Sequence, residues 1–301
     1  MRKVGFGKRL RRELRVRALL FALPIFARLP HHAAVALGAF LGRLAWYAIP
    51  RHRSLALRHL ALAFPGQTEA WRKRVGRASF ANLGRSALEL CVAQRTDLLG
   101  SVEMAPGSLE LFRSLHADGR GVVAFSCHLG NWELLARRIA AAGLPVATIA
   151  REANDPRLTA LLDRGRQSTG IESLWRGKPG AIRQMVRHLQ KGGVLAALID
   201  QDTDVGAHFV PFFGTPARTP RAPSDLAVRL GTRALLGHIH RLAPSVHQVV
   251  IEQLEVPEEG DPEERSRALT EAATRAIEAA VRSHPEEWVW MHERWRSQPP
   301  N

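Results

Sequence analysis

Residues 122–150 read VVAFSCHLGNWELLARRIAAAGLPVATIA, and this stretch decides the fold. The apolar runs VVAFS (122–126) and PVATIA (145–150) are typical of buried strands. The run between them, WELLARRIAAAG (132–143), is typical of a helix that ends at a glycine. A strand, a helix and a second strand in this order indicate a parallel β-α-β unit.

The same alternation continues along the chain. Helices are predicted over 156–168 and 181–190, a third strand over 194–199, and two more strands over 234–240 and 247–256. We therefore predict an α/β fold with a mostly parallel central sheet flanked by helices. In such sheets, functional sites lie beyond the carboxyl ends of the strands.

Three residues are predicted to cap helices. Thr68 precedes a helix over 69–92, and Ser224 precedes one over 225–230. Asp261 precedes a long helix, and Glu264 is placed to complete a capping box.

His128 follows the first buried strand, and Glu133 lies in the first turn of the next helix. We expect the chain to fold back so that the Glu133 carboxylate contacts the His128 imidazole and orients it as a general base. Asn131, between them, can cap the helix and line the site. The alternative is that Asn131 and Glu133 are only capping residues and His128 is an ordinary loop histidine.

Other candidates follow later strands. Asp200 and Gln201 come directly after the predicted strand 194–199, in a loop that faces the crevice of an α/β sheet. Arg151 follows a strand end and Arg166 lies on the next helix, where both could bind an anion. Each arginine could equally lie on a solvated helix face.

Phe213 and Gly214 belong to an apolar turn that also contains Pro211 and Phe212. This turn could line a groove for an acyl chain. Packing in the core is an equal alternative.

The cysteine and histidine content excludes several kinds of site. Cys91 and Cys127 are the only cysteines, so neither a disulfide scaffold nor a Cys-rich metal site is possible, and a reducing compartment is favoured. No G-x-S-x-G motif of a serine hydrolase occurs. His31 and His32 have no third metal ligand at a supporting spacing. We expect no metal and no cofactor.

The net charge of +15 is concentrated at the N-terminus, where residues 1–60 contain 13 basic residues and one acidic residue. Nucleic acid is not the expected partner, since the basic cluster at 2–17 lacks interleaved aromatic residues and any nucleic-acid motif. The expected partner is an anionic membrane surface. The apolar stretches at 18–27 and 33–42 are interrupted by Arg28 and a histidine pair.

These interruptions leave four possibilities for the first fifty residues. A cleaved signal peptide is disfavoured because residues 29–32 form a poor cleavage site. A spanning helix is disfavoured because no long uncharged run exists. A basic tail before a core helix is the plain alternative. We predict that residues 1–50 form a basic, apolar helical membrane anchor on the cytoplasmic face, and that residues 51–301 form the second domain.

Six segments of the chain together resemble a known family. HLGNWE (128–133) resembles the H-x4-D/E block of the membrane glycerolipid acyltransferase superfamily. The neighbouring blocks resemble the late lipid A acyltransferases. They are RHRSLALRHLALAFPG (51–66), RASFANLGRSALEL (77–90), REANDPRLTALLDRGRQSTG (151–170), GGVLAALIDQD (192–202) with VPFFGTPARTP (210–220), and PEEWVWMHERW (285–295).

The resemblance implies a bacterial inner-membrane enzyme. It implies a fatty acyl thioester on acyl carrier protein as donor and a hydroxyl of a phosphorylated lipid A precursor as acceptor. It implies that His128 is the general base and that Glu133 orients it, with Arg151 and Arg166 holding anionic groups or the thioester oxyanion.

Two alternatives stay open at this point. The acceptor could be another glycolipid, phosphoglycolipid or aminolipid. In a different class, the chain could be a non-catalytic membrane-binding protein, in which His128 and Glu133 lie too far apart to hydrogen bond.

Overall fold

A computed structural model describes residues 6–299 of the chain, so part of the basic cluster at 2–17 lies outside the described residues. Four helices come first along the chain: α1 (Phe6–Phe26), α2 (His31–Ala48), α3 (Pro50–Ala63) and α4 (Glu69–Val92). The Thr68 hydroxyl accepts a hydrogen bond from the backbone N–H of Trp71, as predicted for the start of α4.

The remaining elements include all the strands and helices that the sequence predicts after residue 92, and one α-helix and four strands that it does not predict. They are β1 (Val102–Met104), α5 (Ser108–Ala117), β2 (Val122–Ser126), α6 (Trp132–Ala140), β3 (Val146–Ala150), α7 (Pro156–Gln167), β4 (Glu172–Trp175), α8 (Ala181–Gln190), β5 (Val194–Leu198), β6 (Ala207–Phe212), β7 (Thr215–Pro220), α9 (Ala222–Leu230), β8 (Arg233–Ala243), β9 (Val246–Leu254) and α10 (Pro262–Ser283).

Seven strands form one sheet in the order β1-β9-β8-β2-β5-β3-β4. Every neighbouring pair is parallel except β8 and β9, which are antiparallel. This confirms the predicted α/β class with a mostly parallel sheet. The hairpin of β6 and β7 forms a separate two-stranded sheet.

The central strands β2 and β5 lie side by side, with Ser126 paired to Leu198. All five residues of β2 are buried. Because the two strands are parallel and end level with each other, the loops that follow them leave the same edge of the sheet. Those loops begin with Cys127-His128 and Ile199-Asp200.

The cap predictions had mixed outcomes. Asp261 and Glu264 form the predicted capping box at the start of α10. The prediction for Ser224 was wrong, because α9 already begins at Ala222, with a proline in its first turn. Ser224 lies inside that helix, fully buried, and accepts a hydrogen bond from the Thr270 hydroxyl at 2.7 Å.

No single helix within residues 6–299 is long and apolar enough to cross a membrane. Helices α2 and α3 reach the required length and hydropathy only as a pair, and the pair is bent by 93°.

Helix α2 packs closely against α4 through glycines. A Cβ atom added to Gly42 would lie 2.1 Å from the carbonyl oxygen of Phe80, and one added to Gly84 would lie 2.1 Å from the carbonyl oxygen of Gly38. Real Cβ atoms do not approach backbone atoms so closely. Small residues four apart, such as Gly38 and Gly42, therefore let the two helix backbones touch.

This contact predicts an unusual sign for one substitution. Replacing a glycine inside a helix by alanine ordinarily stabilises the helix by about 1 kcal/mol. We expect Gly42→Ala instead to lower the free energy of unfolding by about 1–3 kcal/mol, because the added methyl group pushes α2 off α4. Chemical denaturation measures the change. Gly66→Ala is the control, since a Cβ at Gly66 meets nothing within 4 Å. A Gly42→Ala protein as stable as the wild type would contradict the close packing.

Candidate active site

Asp200 holds the His128 side chain in place. The Nδ1–H of His128 donates to Asp200 Oδ1 at 2.7 Å, and the backbone N–H of His128 donates to Asp200 Oδ2 at 2.8 Å. In the neutral ring, this hydrogen bond leaves the lone pair on the other imidazole nitrogen, Nε2. The side-chain amide of Gln201 lies 3.3 Å from that Nε2 atom.

Asp200 is buried, with 2% of its surface exposed. Burial alone would raise the pKa of its carboxyl group, but the charge and hydrogen bond of His128 outweigh burial and hold the pKa of Asp200 well below its usual range. The indole N–H of Trp288 donates a further hydrogen bond to Asp200 Oδ2 at 2.8 Å. The result is an ionised, fully engaged carboxylate behind the imidazole.

Glu133 does not contact His128, contrary to the prediction. Its carboxylate instead accepts two hydrogen bonds from the Arg166 guanidinium, from Nη2 at 2.5 Å and from Nε at 3.1 Å. Both side chains are 13% exposed. The prediction that His128 pairs with Glu133 was therefore wrong. Glu133 pairs with the Arg166 guanidinium on α7, and His128 pairs with the Asp200 carboxylate beyond the neighbouring strand.

The non-catalytic alternative predicts that His128 and Glu133 do not form a hydrogen bond, and they do not. The absence of this bond does not favour that alternative here, because Asp200 supplies the carboxylate that orients the imidazole.

Asn131 positions the loop that carries His128. Its side-chain oxygen accepts from the backbone N–H of Leu134 at 3.4 Å, which caps α6, and its Nδ2 donates to Glu89 at 3.0 Å. Only 2% of Asn131 is exposed. The residue predicted to bind substrate therefore has both ends of its amide engaged within the protein.

Glu89 on α4 is the centre of a buried polar cluster. The Arg241 guanidinium donates to both of its carboxylate oxygens, at 2.7 and 2.9 Å, and the rings of His31 and His247 lie 3.2 and 3.1 Å away. Burial raises the pKa of Glu89, but these donors together hold it far below its usual range. The cluster joins α2, α4 and β9 to the beginning of α6.

The C-terminal segment pairs with the His128 loop. Leu129 and Trp288 form an antiparallel bridge, and the backbone N–H of Val289 donates to the carbonyl oxygen of His128 at 3.2 Å. Gly130, at φ 59°, passes close to β8, where an added Cβ would lie 2.2 Å from the carbonyl oxygen of Ile239. Glycine is required there by the close approach of the β8 backbone.

The His128 ring contacts one residue that lines an apolar cavity and one residue that lines a polar groove. On one side it packs edge-on against Trp132, with ring centroids 4.8 Å apart, and Trp132 lines the cavity between α6 and the sheet. On the other side Gln201 lines a groove with charged walls. The cavity lining includes Phe125, Glu133, Ile139, Ile149, Arg166, Ala196 and Leu235; the groove lining includes Arg51, His52, Asp202, His292, Glu293 and Arg296.

Three predicted site residues lie elsewhere. Phe213 is 7% exposed and packs in an aromatic cluster, 5.3 Å from Phe64 and 6.1 Å from Trp290 between ring centroids. Gly214 is exposed beside it in the β6–β7 turn, and Arg151 is exposed at the end of β3. None of the three lines the cavity or the groove beside His128. A substrate role for them stays a prediction.

Sequence reasoning missed Trp288 and, apart from Gln201, residues that line the groove, such as Arg51 and His292. Trp288 and His292 belong to the PEEWVWMHERW segment, which was quoted for its resemblance but was given no role. Within the described residues, no group of three or more His, Cys, Asp or Glu side chains could hold a metal ion.

The family model for bacterial lipid A biosynthesis acyltransferases matches residues 7–297 of the chain. The chain belongs to this family. It is 23% identical to the lipid A biosynthesis lauroyltransferase of Escherichia coli (strain K12), over 91% of this chain and 89% of that protein. It is 25% identical to the lipid A biosynthesis palmitoleoyltransferase of the same strain, over 93% of this chain and 90% of that protein.

A more distant relative is named for a different lipid. The phosphatidylinositol mannoside acyltransferase of Mycobacterium tuberculosis (strain CDC 1551 / Oshkosh) is 23% identical, over 72% of this chain and 68% of that protein. All three relatives are named as enzymes that transfer acyl groups. The chain is accordingly an acyltransferase.

Glu287 gives the segment behind the site a dependence on pH. Burial raises the pKa of its carboxyl group to about 7, although the backbone N–H of Arg241, which donates to both carboxylate oxygens, opposes the shift. A carboxyl group whose pKa is higher in the folded chain stabilises the fold at low pH. That contribution is lost as the pH rises from about 4.5 to about 7.

We therefore expect Glu287→Gln to remove part of the pH dependence of unfolding. Between about pH 4.5 and pH 8, the free energy of unfolding of the wild type should fall by up to about 3 kcal/mol relative to that of the variant. The reason is that a neutral amide keeps the hydrogen bond without titrating. Denaturant unfolding across this range measures it. Glu286→Gln, one residue away and exposed, is the control. Parallel stability curves for wild type and Glu287→Gln would contradict the raised pKa.

Proposed function

We propose that the protein transfers a fatty acyl chain from a thioester on acyl carrier protein to a hydroxyl group of a lipid A precursor. The observation that carries this proposal is that the His128 ring contacts Trp132, which lines the apolar cavity, and Gln201, which lines the polar groove. The cavity suits an acyl chain, and the groove suits a polar acceptor that carries charged groups. The family and its lipid A relatives support the same acceptor.

His128 is the general base of this reaction. Its Nε2 atom accepts the proton of the acceptor hydroxyl, and the hydroxyl oxygen attacks the carbonyl carbon of the thioester. The carbon–sulfur bond then breaks, and the leaving thiolate takes the proton back from the imidazolium. Asp200 keeps the proton on Nδ1 and stabilises the imidazolium while it exists.

Arg166 polarises the thioester carbonyl in this proposal. It lines the cavity together with Trp132, which packs against His128. A guanidinium there stabilises the negative charge that develops on the carbonyl oxygen. Glu133 then acts through Arg166, whose side chain it holds with two hydrogen bonds. Gln201 donates to Nε2 in the free enzyme and yields its place to the acceptor hydroxyl.

The surface of the first helices supports a position on the membrane. Nine of the eleven exposed large hydrophobic side chains in the described part of the chain lie between residues 14 and 49. The same region is strongly basic. Residues 1–50 therefore act as an anchor on the anionic cytoplasmic face of the inner membrane. If the full-length chain does not sediment with inner membranes in low salt, this placement is wrong.

The roles of His128 and Asp200 predict a definite order of activities. His128→Ala should lower kcat/KM by roughly 100- to 10,000-fold, the range for a general base. Asp200→Asn should lower kcat at least roughly tenfold, because the imidazole loses the partner that sets its tautomer. Transfer is measured with an acyl-carrier-protein donor and a tetraacylated lipid A precursor.

The control is Asp97→Asn, an exposed carboxylate outside the site, which should leave kcat unchanged. Thermal unfolding checks that each variant is folded. Undiminished transfer by folded His128→Ala would refute the mechanism. Undiminished transfer by Asp200→Asn would leave His128 as base but remove Asp200 from its support.

The mycobacterial relative favours a second candidate, in which the acceptor is another glycolipid. Mass spectrometry of lipids from a deletion strain separates the two. Lipid A that lacks one secondary acyl chain supports the first acceptor. Unchanged lipid A together with an underacylated glycolipid supports the second.

A further inference from the structure

A second groove lies at the elbow between α2 and α3, where both helices meet α4. It has a volume of about 670 Å³. We call it the elbow groove. Its walls are formed by Trp46, Tyr47, Arg53, Leu57, Ala70, Lys73, Arg74 and Arg77. None of these residues lines the cavity or the groove beside His128.

The elbow groove contains positive charge that the protein does not neutralise. Arg53, Arg74 and Arg77 have no acidic partner within 4.0 Å among residues 6–299, whereas Lys73 is paired with Glu69 at 2.6 Å. Arg74 and Arg77 are exposed, and the spacing of three places them on neighbouring positions of one helix face. Arg77 Nη1 donates to the Tyr47 hydroxyl at 3.3 Å. Guanidinium groups arranged in this way suit a phosphate oxyanion.

The floor of the elbow groove is closely packed. Trp46 is 5% exposed, and its ring packs edge-on against Phe80 with 5.3 Å between centroids. A Cβ added to Gly76 would lie 2.8 Å from the same indole ring. The groove is therefore shaped by close packing of α2 on α4 before any ligand binds, which reduces the ordering needed on binding.

An apolar row on α2 leads directly into the elbow groove. Phe40, Leu44 and Tyr47 are 60%, 53% and 59% exposed, and their spacing places them on one face of the helix. Tyr47 belongs to both the row and the groove. An acidic soluble protein would neutralise the arginines and leave the apolar row uncovered. A lipid with an anionic head and apolar chains satisfies both.

We propose that the elbow groove binds the phosphate of an anionic membrane phospholipid whose chains lie along the α2 row. This lipid is neither acyl donor nor acceptor. It fixes how the enzyme sits on the bilayer, and it provides an attachment in residues 46–77 in addition to the basic N-terminal cluster. The proposal extends the proposed membrane placement but does not depend on which hydroxyl is acylated.

The test compares two triple variants of equal charge. Arg53→Gln/Arg74→Gln/Arg77→Gln removes the unpaired cations of the elbow groove. Arg113→Gln/Arg187→Gln/Arg229→Gln removes three exposed arginines from α5, α8 and α9. Full-length proteins are sedimented with phosphatidylcholine vesicles, with and without phosphatidylglycerol. Acyl carrier protein is titrated separately, and acyl transfer is measured in detergent micelles.

We expect the elbow-groove variant to lose roughly a hundredfold in partitioning to phosphatidylglycerol vesicles, and the control variant to lose much less. Equal losses in the two variants, or none in the first, would overturn the site. Unchanged vesicle binding with lost affinity for acyl carrier protein would overturn it in favour of a protein partner. Transfer in micelles should persist in the elbow-groove variant. Absence of transfer in the wild type would refute the proposed function while leaving the lipid site intact.

Discussion

The hydrogen bond between the buried Asp200 carboxylate and the His128 imidazole is the interaction on which the rest of the site depends. Asp200 is only 2% exposed, and burial disfavours the charge of a carboxylate. If Asp200 had no hydrogen-bond partners, it would take up a proton. His128 and Trp288 supply those partners from two other parts of the chain. The arrangement therefore requires β2, β5 and the C-terminal segment to come together, and it leaves Nε2 as the atom that we propose accepts the proton of the acceptor hydroxyl.

Two further layers hold this arrangement. The Glu89 cluster ties Asn131, and hence the start of α6, to α2, α4 and β8–β9. The C-terminal segment closes over the His128 loop through the Leu129–Trp288 bridge. Because His31 on α2 contacts the same Glu89 as Asn131, helix α2 is linked through Glu89 to the loop that carries His128.

The sequence predicted five of the seven strands of the central sheet and selected His128, Asp200 and Gln201 as candidates, but it did not predict which side chains pair. The apolar runs and the turn residues that bound them predict β2 and β5 correctly, and both His128 and Asp200 were predicted just past strand ends. Which strands are neighbours cannot be read from local pattern, and only the Ser126–Leu198 register makes the two loops adjacent. Glu133, five residues from His128, was the nearer carboxylate in sequence but not in space.

The remaining differences have similar physical causes. Arg166 was predicted to bind an anion, and the anion it meets within the protein is Glu133. Phe213 is apolar enough for an acyl groove and equally apolar enough for an aromatic cluster, so composition alone does not distinguish the two. Trp288 contacts Asp200 across 88 residues of chain, a separation at which local patterns carry no information.

The tautomer of His128 tests this account most directly. Nitrogen-15 NMR of histidine-labelled protein in detergent micelles, with His128→Gln used to assign the signal, reports which ring nitrogen carries the proton at neutral pH. The account predicts a neutral ring protonated on Nδ1, hydrogen-bonded to Asp200, with an unprotonated Nε2. A ring protonated on Nε2 would contradict the account, because His128 would then have no basic atom facing the acceptor hydroxyl.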